Sequence, residues 1–347
     1  MRCLTRFVCG LGCVLMAAAC GPPLDQAPIE SIAGETMGTT YQVKYVAANS
    51  PVAARRESLQ AGIAAILARM DQQMSTYRED SELSRFNASR STDWFPVSRE
   101  LATVLATART VSHRSGGAFD VTVKPLVDLW GFGSGAPVLP KVPSAETVAA
   151  ARARVGFGHL SIRAEPPAIR KDIPELEVDL GAIAPGYAVD SIARFLSGRG
   201  VQSFLVELGG EVYARGRRPD GQGWQVGIER PTDGPQEVDI SLELDGKGLS
   251  TSGSYRNYFE HDGIRYSHEI DPSTGAPVRH STVAVAVVAD TVIEADAWST
   301  ALLVLGSDRG AELAMREGMA ARFIDVGEHG VESRATPAFQ AQQMPSR

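Results

Sequence analysis

Residues 248–278 concentrate side chains that could perform chemistry. Three consecutive hydroxyl side chains occur at positions 250–252, an isolated histidine stands at His268, and residues 271–275 form the turn sequence DPSTG. An unperturbed imidazole titrates near neutral pH, so His268 could take a proton from an attacking hydroxyl group. Core packing does not require these polar residues, and we interpret the segment as part of a ligand site.

A carboxylate and a hydroxyl group could supply oxygen ligands for a metal ion. Residues 292–305 are mostly apolar, and Thr291 and Glu294 fit a capping box at the start of a helix there. Asp296 and Thr300 are four residues apart and therefore share one face of that helix. Because an unpaired buried charge is costly, Asp296 needs either a hydrogen-bond network or a hard cation such as Mg²⁺, and the residues alone leave both open.

Two further segments could contact a nucleotide-type ligand. Residues 178–181 read as the end of a strand that turns into a helix near Ala182, and a helix start of this kind can accept an anion. A routine strand–helix junction explains the same residues equally well. Tyr77 and Phe119 could cover a planar ligand or simply the core. A cation, an anion site and aromatic cover would together suit a ligand that carries a diphosphate.

Hydrophobic periodicity predicts the elements that must position these groups. Together they indicate an α+β fold, a single compact body of largely antiparallel sheet with packed helices. Helices are predicted at 52–74, 98–115, 144–155, from about 182, and 292–305, the last ending at Gly306 as a left-handed cap. Strands are predicted at 35–46, 118–123, 160–163, 168–171, 177–180, 203–206, 212–215, 224–229, 238–244, 248–251 and 281–289.

The composition is that of a soluble globular protein. The chain has 347 residues, of which 44% are hydrophobic and 22% charged, and its formal net charge is −7. The acidic balance and the absence of a basic run disfavour a nucleic-acid partner.

The N-terminal residues predict export and a lipid anchor. Residues 1–19 combine a basic start with a short apolar run, which is typical of a secretory signal peptide. Small residues before Cys20 resemble a bacterial lipoprotein box, which predicts lipidation of Cys20 on the periplasmic side of the cell envelope; a plain signal peptide is the alternative. Residues 20–33 are then a tether, 34–334 the folded domain, and 335–347 a poorly ordered tail. All four cysteines lie within the first 20 residues, so thiol and disulfide chemistry in the domain is excluded.

Seven segments in this order resemble the FAD:protein FMN transferases, the ApbE flavin-transferase family of bacterial lipoproteins and periplasmic proteins. They are MGTTYQV from Met37, MSTYREDSELSRFN from Met74, GGAFDVTVKPLVDLWGFG from Gly116, VDLGAIAPGYAVD from Val178, STSGSYRNYF from Ser250, YSHEIDPSTGAPV from Tyr266, and ADAWSTALLVLG from Ala295.

The resemblance implies an enzyme that splits FAD at its diphosphate, releases AMP and links FMN by a phosphoester to a Thr or Ser of an acceptor protein. The acceptors of the family are typically flavin-carrying subunits of membrane redox pumps. It further implies Mg²⁺ held by the Ala182 carbonyl, Asp296 and Thr300, with Asp296 and His268 as catalytic residues and His268 as the base. The implied FAD-binding residues are Met37, Tyr77, Ala118, Phe119, Asp120, Asp179, Ala182, Pro185 and Ile270.

The chain departs from the family pattern at two positions. Pro185 stands where many relatives carry Lys and some Glu, and Glu269 replaces the usual Ile beside His268. An acidic neighbour would raise the pKa of the histidine if the two side chains approach closely. Two other functions that use the same pocket remain open: an FAD-binding or scavenging lipoprotein, and a Mg²⁺-dependent FAD pyrophosphatase with water as the acceptor.

Overall fold

The computed structural model describes residues 27–47, 52–133, 142–231, 237–327 and 330–343. The predicted signal peptide, the lipidation site Cys20 and the first part of the tether lie outside these residues. None of the helices in these ranges combines the length and apolar character needed to cross a membrane.

Helices dominate the first half of the described chain, and within its residues 204–289 strands follow one another without an intervening helix. The helices are α1 (Val52–Met74), α2 (Glu82–Ala88), α3 (Arg99–Arg114), α4 (Lys124–Leu129), α5 (Ala145–Arg152), α6 (Ala184–Gly198), α7 (Val292–Arg316) and α8 (Pro337–Gln340). The strands are β1 (Ile29–Thr36), β2 (Thr39–Val46), β3 (Phe95–Pro96), β4 (Leu160–Arg163), β5 (Ala168–Lys171), β6 (Phe204–Leu208), β7 (Glu211–Arg215), β8 (Trp224–Glu229), β9 (Val238–Leu244), β10 (Lys247–Gly253), β11 (Tyr258–His261), β12 (Ile264–Ser267), β13 (Ile270–Asp271), β14 (Ala276–Pro277), β15 (Thr282–Ala289), β16 (Ala320–Gly327) and β17 (Gly330–Ala335).

An eight-stranded antiparallel sheet forms the centre of the fold, in the order β1-β2-β6-β7-β10-β15-β16-β17. Successive residues of β15 point to opposite faces: Val285 and Val287 pack with the helices α1, α6 and α7, whereas Ala286 and Val288 pack with the hairpin β8–β9 and α8. Both faces of the sheet are therefore buried, which explains the uninterrupted apolar sequence of this strand. The predicted α+β class, with an antiparallel sheet and packed helices, is confirmed.

Several predicted boundaries are wrong for local reasons. Residues 118–123 do not form a strand, because the carboxylate of Asp120 accepts the Thr122 N–H at 2.8 Å and turns Val121–Val123 into a 3₁₀ helix. Residues 177–180 do not form a strand either. The backbone of Val178 instead exchanges two hydrogen bonds with the side-chain amide of Asn87.

Both predicted ends of the folded domain also need correction. The first strand begins at Ile29, inside the segment assigned to the tether, and pairs with β2 along its whole length. At the other end, the tail assigned from Ala335 forms helix α8, because Phe339 is fully buried and Thr336 caps its first turn. Residues 344–347 of that tail lie outside the described part of the chain.

The helix that carries Asp296 differs from its prediction at both ends. The N–H groups of Val292 and Ile293 donate to the two carboxylate oxygens of Asp190 on α6, at 2.9 and 3.0 Å, so a partner helix caps it. The Thr291 hydroxyl instead donates to the Glu294 carboxylate. Gly306 does take a left-handed φ of 74°, as expected for a cap, but the chain resumes a helix beyond it as far as Arg316.

Candidate active site

A cavity of about 890 Å³ opens where the β1–β2 turn and the end of α1 meet the start of α6, the end of β10 and the first turns of α7. Its wall contains every residue predicted to bind the dinucleotide, the metal or a proton, although these residues are spread over most of the chain. They are Met37, Tyr77, Ala118, Phe119, Asp120, Asp179, Ala182, Pro185, His268, Ile270, Asp296 and Thr300.

Asp296 is held against the start of α6 by a close helix contact. Its side chain is 4% exposed, and its Oδ2 accepts the backbone N–H of Gly186 at 2.9 Å. A Cβ atom at Gly186 would lie 2.6 Å from the Val292 carbonyl oxygen and 2.9 Å from the Asp296 Cβ, so only glycine permits this approach of α6 to α7. The contact brings Ala182 and Pro185 to the same end of the cavity as Asp296.

The start of α6 does not offer the free amide groups that its sequence suggested. The Gly186 N–H donates to Asp296, the Ala184 N–H donates to the Leu180 carbonyl, and Pro185 has no N–H. Asp179 Oδ1 accepts the Gly181 N–H at 2.7 Å just before the helix. The anion that this helix start accepts is therefore the Asp296 carboxylate, and the junction acts by positioning that side chain.

Hydroxyl groups link Thr300 to a second carboxylate, that of the half-buried Glu211. The Ser252 hydroxyl lies 2.9 Å from that of Thr300 and 2.8 Å from that of Ser299. Ser299 is 3.3 Å from Ser250, whose hydroxyl donates to Glu211 Oε1 at 3.4 Å. Thr300 is thus fixed by the consecutive hydroxyl residues of β10, the segment that the sequence singled out.

Two carboxylates in this cavity repel one another. Burial raises the pKa of Asp296 well above its usual range, and the charge of Glu211 raises it further. Burial also raises the pKa of Glu211, to about 7. A positive charge in the cavity beside Asp296 and Glu211 would offset the free-energy cost of ionising both carboxyl groups.

The donor set fits a hard divalent cation. Asp296, Thr300 and Ala182 all line the cavity and offer a carboxylate, a hydroxyl and a backbone carbonyl oxygen. Mg²⁺ commonly takes few protein oxygens and completes its coordination with phosphate and water. In the ranges that the structure covers, no group of three or more His, Cys, Asp or Glu side chains could hold a metal.

The predicted aromatic residues play different structural parts. Tyr77 lies at the mouth of the cavity with 80% of its surface exposed, so it does not cover the core and its ring is free to contact a ligand. Phe119 is only 3% exposed and packs in the main core. Met37 occupies the left-handed region, with a φ of 50°, in the tight β1–β2 turn at the cavity wall.

Asp120 contributes to the cavity wall mainly through its backbone turn. Its Oδ1 accepts from the N–H and hydroxyl of Thr122, and its Oδ2 accepts the Phe157 N–H at 2.8 Å. Burial raises the pKa of this carboxyl, and those hydrogen bonds oppose the rise. Both oxygens already have partners, so the side chain organises the wall around Phe119.

His268 stands at the rim of the cavity, just after β12, with about one third of its side chain exposed. Its Nδ1 is 3.2 Å from the carbonyl oxygen of Asn257, and its Nε2 is 3.4 Å from Oε1 of Glu269. The ring of Phe132 meets the imidazole edge to face at 6.2 Å. Glu269 is buried, and burial raises its pKa while His268 lowers it.

Two acidic residues of the site were missed by the sequence analysis. Glu211 begins β7, directly after two glycines with positive φ, and its side chain enters the cavity. An acidic residue at the start of a buried strand, on the side of the sheet that packs against helices, is the signal that could have identified it. Glu269 was noted only as a departure from a family pattern.

Comparisons with known proteins point to one family. A sequence model of the ApbE family matches residues 37–323. The FAD:protein FMN transferase of Salmonella typhimurium is 42% identical over 309 residues, which is 88% of this chain and 87% of the relative. The Vibrio cholerae protein of the same name is 40% identical over 97% of this chain and 98% of its own length. The apo crystal structure of the Pseudomonas stutzeri flavinyl transferase ApbE has a TM-score of 0.84 and 43% identity, covering 92% of this chain and 98% of that one.

Proposed function

Because this chain belongs to the ApbE family, we propose that it transfers FMN from FAD to an acceptor protein. The chain is an enzyme, and FAD is its substrate. The structural observation that supports this function is that the residues predicted to bind FAD, the metal and the proton all line the same cavity. It contains a buried carboxylate, a fixed hydroxyl group and a histidine at its rim.

The reaction we propose is displacement at the phosphorus of the FMN half of FAD. A Thr or Ser hydroxyl of the acceptor attacks this phosphorus, the bond from phosphorus to the AMP oxygen breaks, and AMP leaves with the bonding electron pair. The attacking oxygen loses its proton to His268, which stands at the rim of the cavity where a protein acceptor can reach it. The product is a phosphoester between FMN and the acceptor.

We further propose that the enzyme is Mg²⁺-dependent. The Ala182 carbonyl, the Asp296 carboxylate and the Thr300 hydroxyl would hold the ion, which would neutralise charge on the diphosphate. Support comes from the oxygen-only donor set and from the repulsion between Asp296 and Glu211. The Gly186 N–H keeps Asp296 pointing into the cavity, and Ser252 orients Thr300.

The acceptor and the compartment are proposals that rest on the sequence. A flavin-carrying subunit of a membrane redox pump is the acceptor that the resemblance implies. Lipidation at Cys20 would anchor the enzyme to a membrane on the periplasmic side of the bacterial envelope. Labelling with a radioactive fatty acid, followed by mapping of the modified residue and a Cys20→Ser comparison, tests the anchor.

A transfer assay tests the function directly. The purified protein is incubated with FAD, Mg²⁺ and a domain that carries a flavinylation threonine, and mass spectrometry follows the acceptor. We expect a mass gain equal to one FMN together with release of AMP. Release of FMN and AMP without labelling would identify a pyrophosphatase, and intact FAD would identify a binding protein. An acceptor with that threonine changed to alanine is the matched control.

A further inference from the structure

The carbonyl group of Asn257 determines which nitrogen of His268 carries a proton. A carbonyl oxygen only accepts hydrogen bonds, so Nδ1, at 3.2 Å from it, is the protonated nitrogen of the neutral ring. The same oxygen also accepts the backbone N–H of His268 at 3.0 Å, which ties the ring to the β11–β12 hairpin. The lone pair of the neutral imidazole is therefore on Nε2.

Glu269 faces that nitrogen from inside the protein. Its Oε1 lies 3.4 Å from Nε2, its side chain is one tenth exposed, and both side chains border the cavity. Within the described residues, no other side chain comes within ion-pair distance of this carboxylate. A separation of 3.4 Å is longer than a well-formed hydrogen bond, so Glu269 does not require a proton on Nε2 of the neutral ring.

We propose that Glu269 is a positioning residue for the transfer reaction: the Asn257 carbonyl holds the neutral His268 ring with Nε2 free to receive the proton of the acceptor hydroxyl, and the Glu269 carboxylate then pairs with the imidazolium that forms. This inference rests on the proposed function. When the acceptor O–H bond breaks, its oxygen bonds to the phosphorus of the FMN half and AMP leaves with the electron pair of the broken bond. The proton goes to Nε2, which lies 3.4 Å from the Glu269 carboxylate, so the positive charge that forms has an anionic partner.

The charges around the pair favour this role. Burial raises the pKa of Glu269 and the positive charge of His268 opposes that rise, so protonation of the ring and ionisation of the carboxylate support one another. Asp296, on α7, is the other ionisable group whose charge interacts with Glu269. The side of the imidazole that meets Phe132 carries no charge.

The test compares Glu269→Gln with Glu269→Asp and with Glu260→Gln. The Gln variant removes the charge at nearly constant shape, and the Asp variant retains the charge but withdraws it by one methylene group. Glu260 lies exposed on β11 of the same hairpin, so its change to Gln removes one charge away from His268. Long-range ¹H–¹⁵N NMR of the apo proteins reports the tautomer of His268, with its signal assigned by its loss in His268→Ala.

We expect the Nδ1–H tautomer in the wild-type protein at high pH. In the transfer assay, Glu269→Gln should lower kcat by about tenfold, a change of about 1.4 kcal/mol, while the KM for FAD stays the same, because the imidazolium that forms loses its carboxylate partner. Glu269→Asp should retain part of the rate, and Glu260→Gln should retain all of it.

An Nε2–H tautomer in the wild-type protein, or equal kcat values in Glu269→Gln and the wild type, would overturn the inference. The tautomer measurement does not depend on transfer activity. If the wild-type protein transfers no FMN while NMR shows the Nδ1–H tautomer, the geometry of the pair stands and the proposed function is what fails.

Discussion

The stability of the apo protein should depend on pH through Glu211. Burial raises the pKa of this carboxyl from 4.5 to about 7, whereas in the unfolded chain it titrates at its ordinary value. Between those pH values the folded protein holds a proton that the unfolded chain releases. The folded protein is therefore most stable with Glu211 protonated. This contribution to the free energy of unfolding is fully present below pH 4.5 and is lost as the pH rises through 7.

The size of this loss follows from the shift. A change of about 2.5 pKa units corresponds to about 3 kcal/mol of unfolding free energy, at about 1.4 kcal/mol per unit. Glu211→Gln removes the titrating group while retaining an oxygen that can accept from the Ser250 hydroxyl. Between about pH 4.5 and pH 7.5, we therefore expect the free energy of unfolding to fall by about 3 kcal/mol more in the wild type than in Glu211→Gln.

Urea denaturation of the wild type and Glu211→Gln in EDTA, at both pH values, measures this difference. Glu260→Gln, which changes an exposed carboxylate, serves as the control and should follow the wild type. A difference in unfolding free energy between Glu211→Gln and wild type that is the same at both pH values would refute the reasoning. The proposed Mg²⁺ site predicts that added Mg²⁺ stabilises the wild type more at about pH 7.5 than at about pH 4.5, because a cation would bind the ionised form of the cavity carboxylates.

Four further changes test other parts of the structure. Asp296→Ala should remove Mg²⁺-dependent turnover, by about 10³-fold in transfer rate, while circular dichroism shows an intact fold; full activity without Mg²⁺ would contradict the metal assignment. His268→Ala should leave FAD binding unchanged by fluorescence titration but slow transfer by about 10²–10⁴-fold, and an unchanged rate would mean that another group takes the proton. Asp190→Ala should lower the unfolding free energy by about 2–3 kcal/mol in urea titrations, because two N–H groups at the start of α7 lose a charged acceptor; no loss would show that solvent replaces it. Burial of Lys171 lowers its pKa to about 8, so its folded form releases a proton before the unfolded chain does and stability should rise between about pH 8 and pH 10; Lys171→Met should lack that rise in thermal melts.

The family resemblance of the sequence was confirmed, and its seven motifs were sufficient to identify the enzyme class. Periodicity correctly predicted α1 at Val52–Met74 and the buried strand β15, because both depend on apolar residues that recur at a fixed spacing. The strand predicted at 118–123 was wrong, because one buried carboxylate, Asp120, turns the backbone by accepting three hydrogen bonds. Local side-chain bonding of this kind competes with secondary structure and leaves little trace in a hydrophobic pattern.

The sequence by itself determined the reaction class and the types of group that the site would need: a histidine, a carboxylate with a hydroxyl group one helical turn away, and hydroxyl residues on a strand. Only the tertiary structure decided what those groups do to each other. It showed that the start of α6 accepts Asp296 instead of a free anion, that Glu211 joins Asp296 in the cavity, and that Glu269 faces Nε2 of His268. The physical reason is that a pKa and a hydrogen-bond partner depend on distances and burial between elements far apart in the chain, which residue types and spacing do not contain.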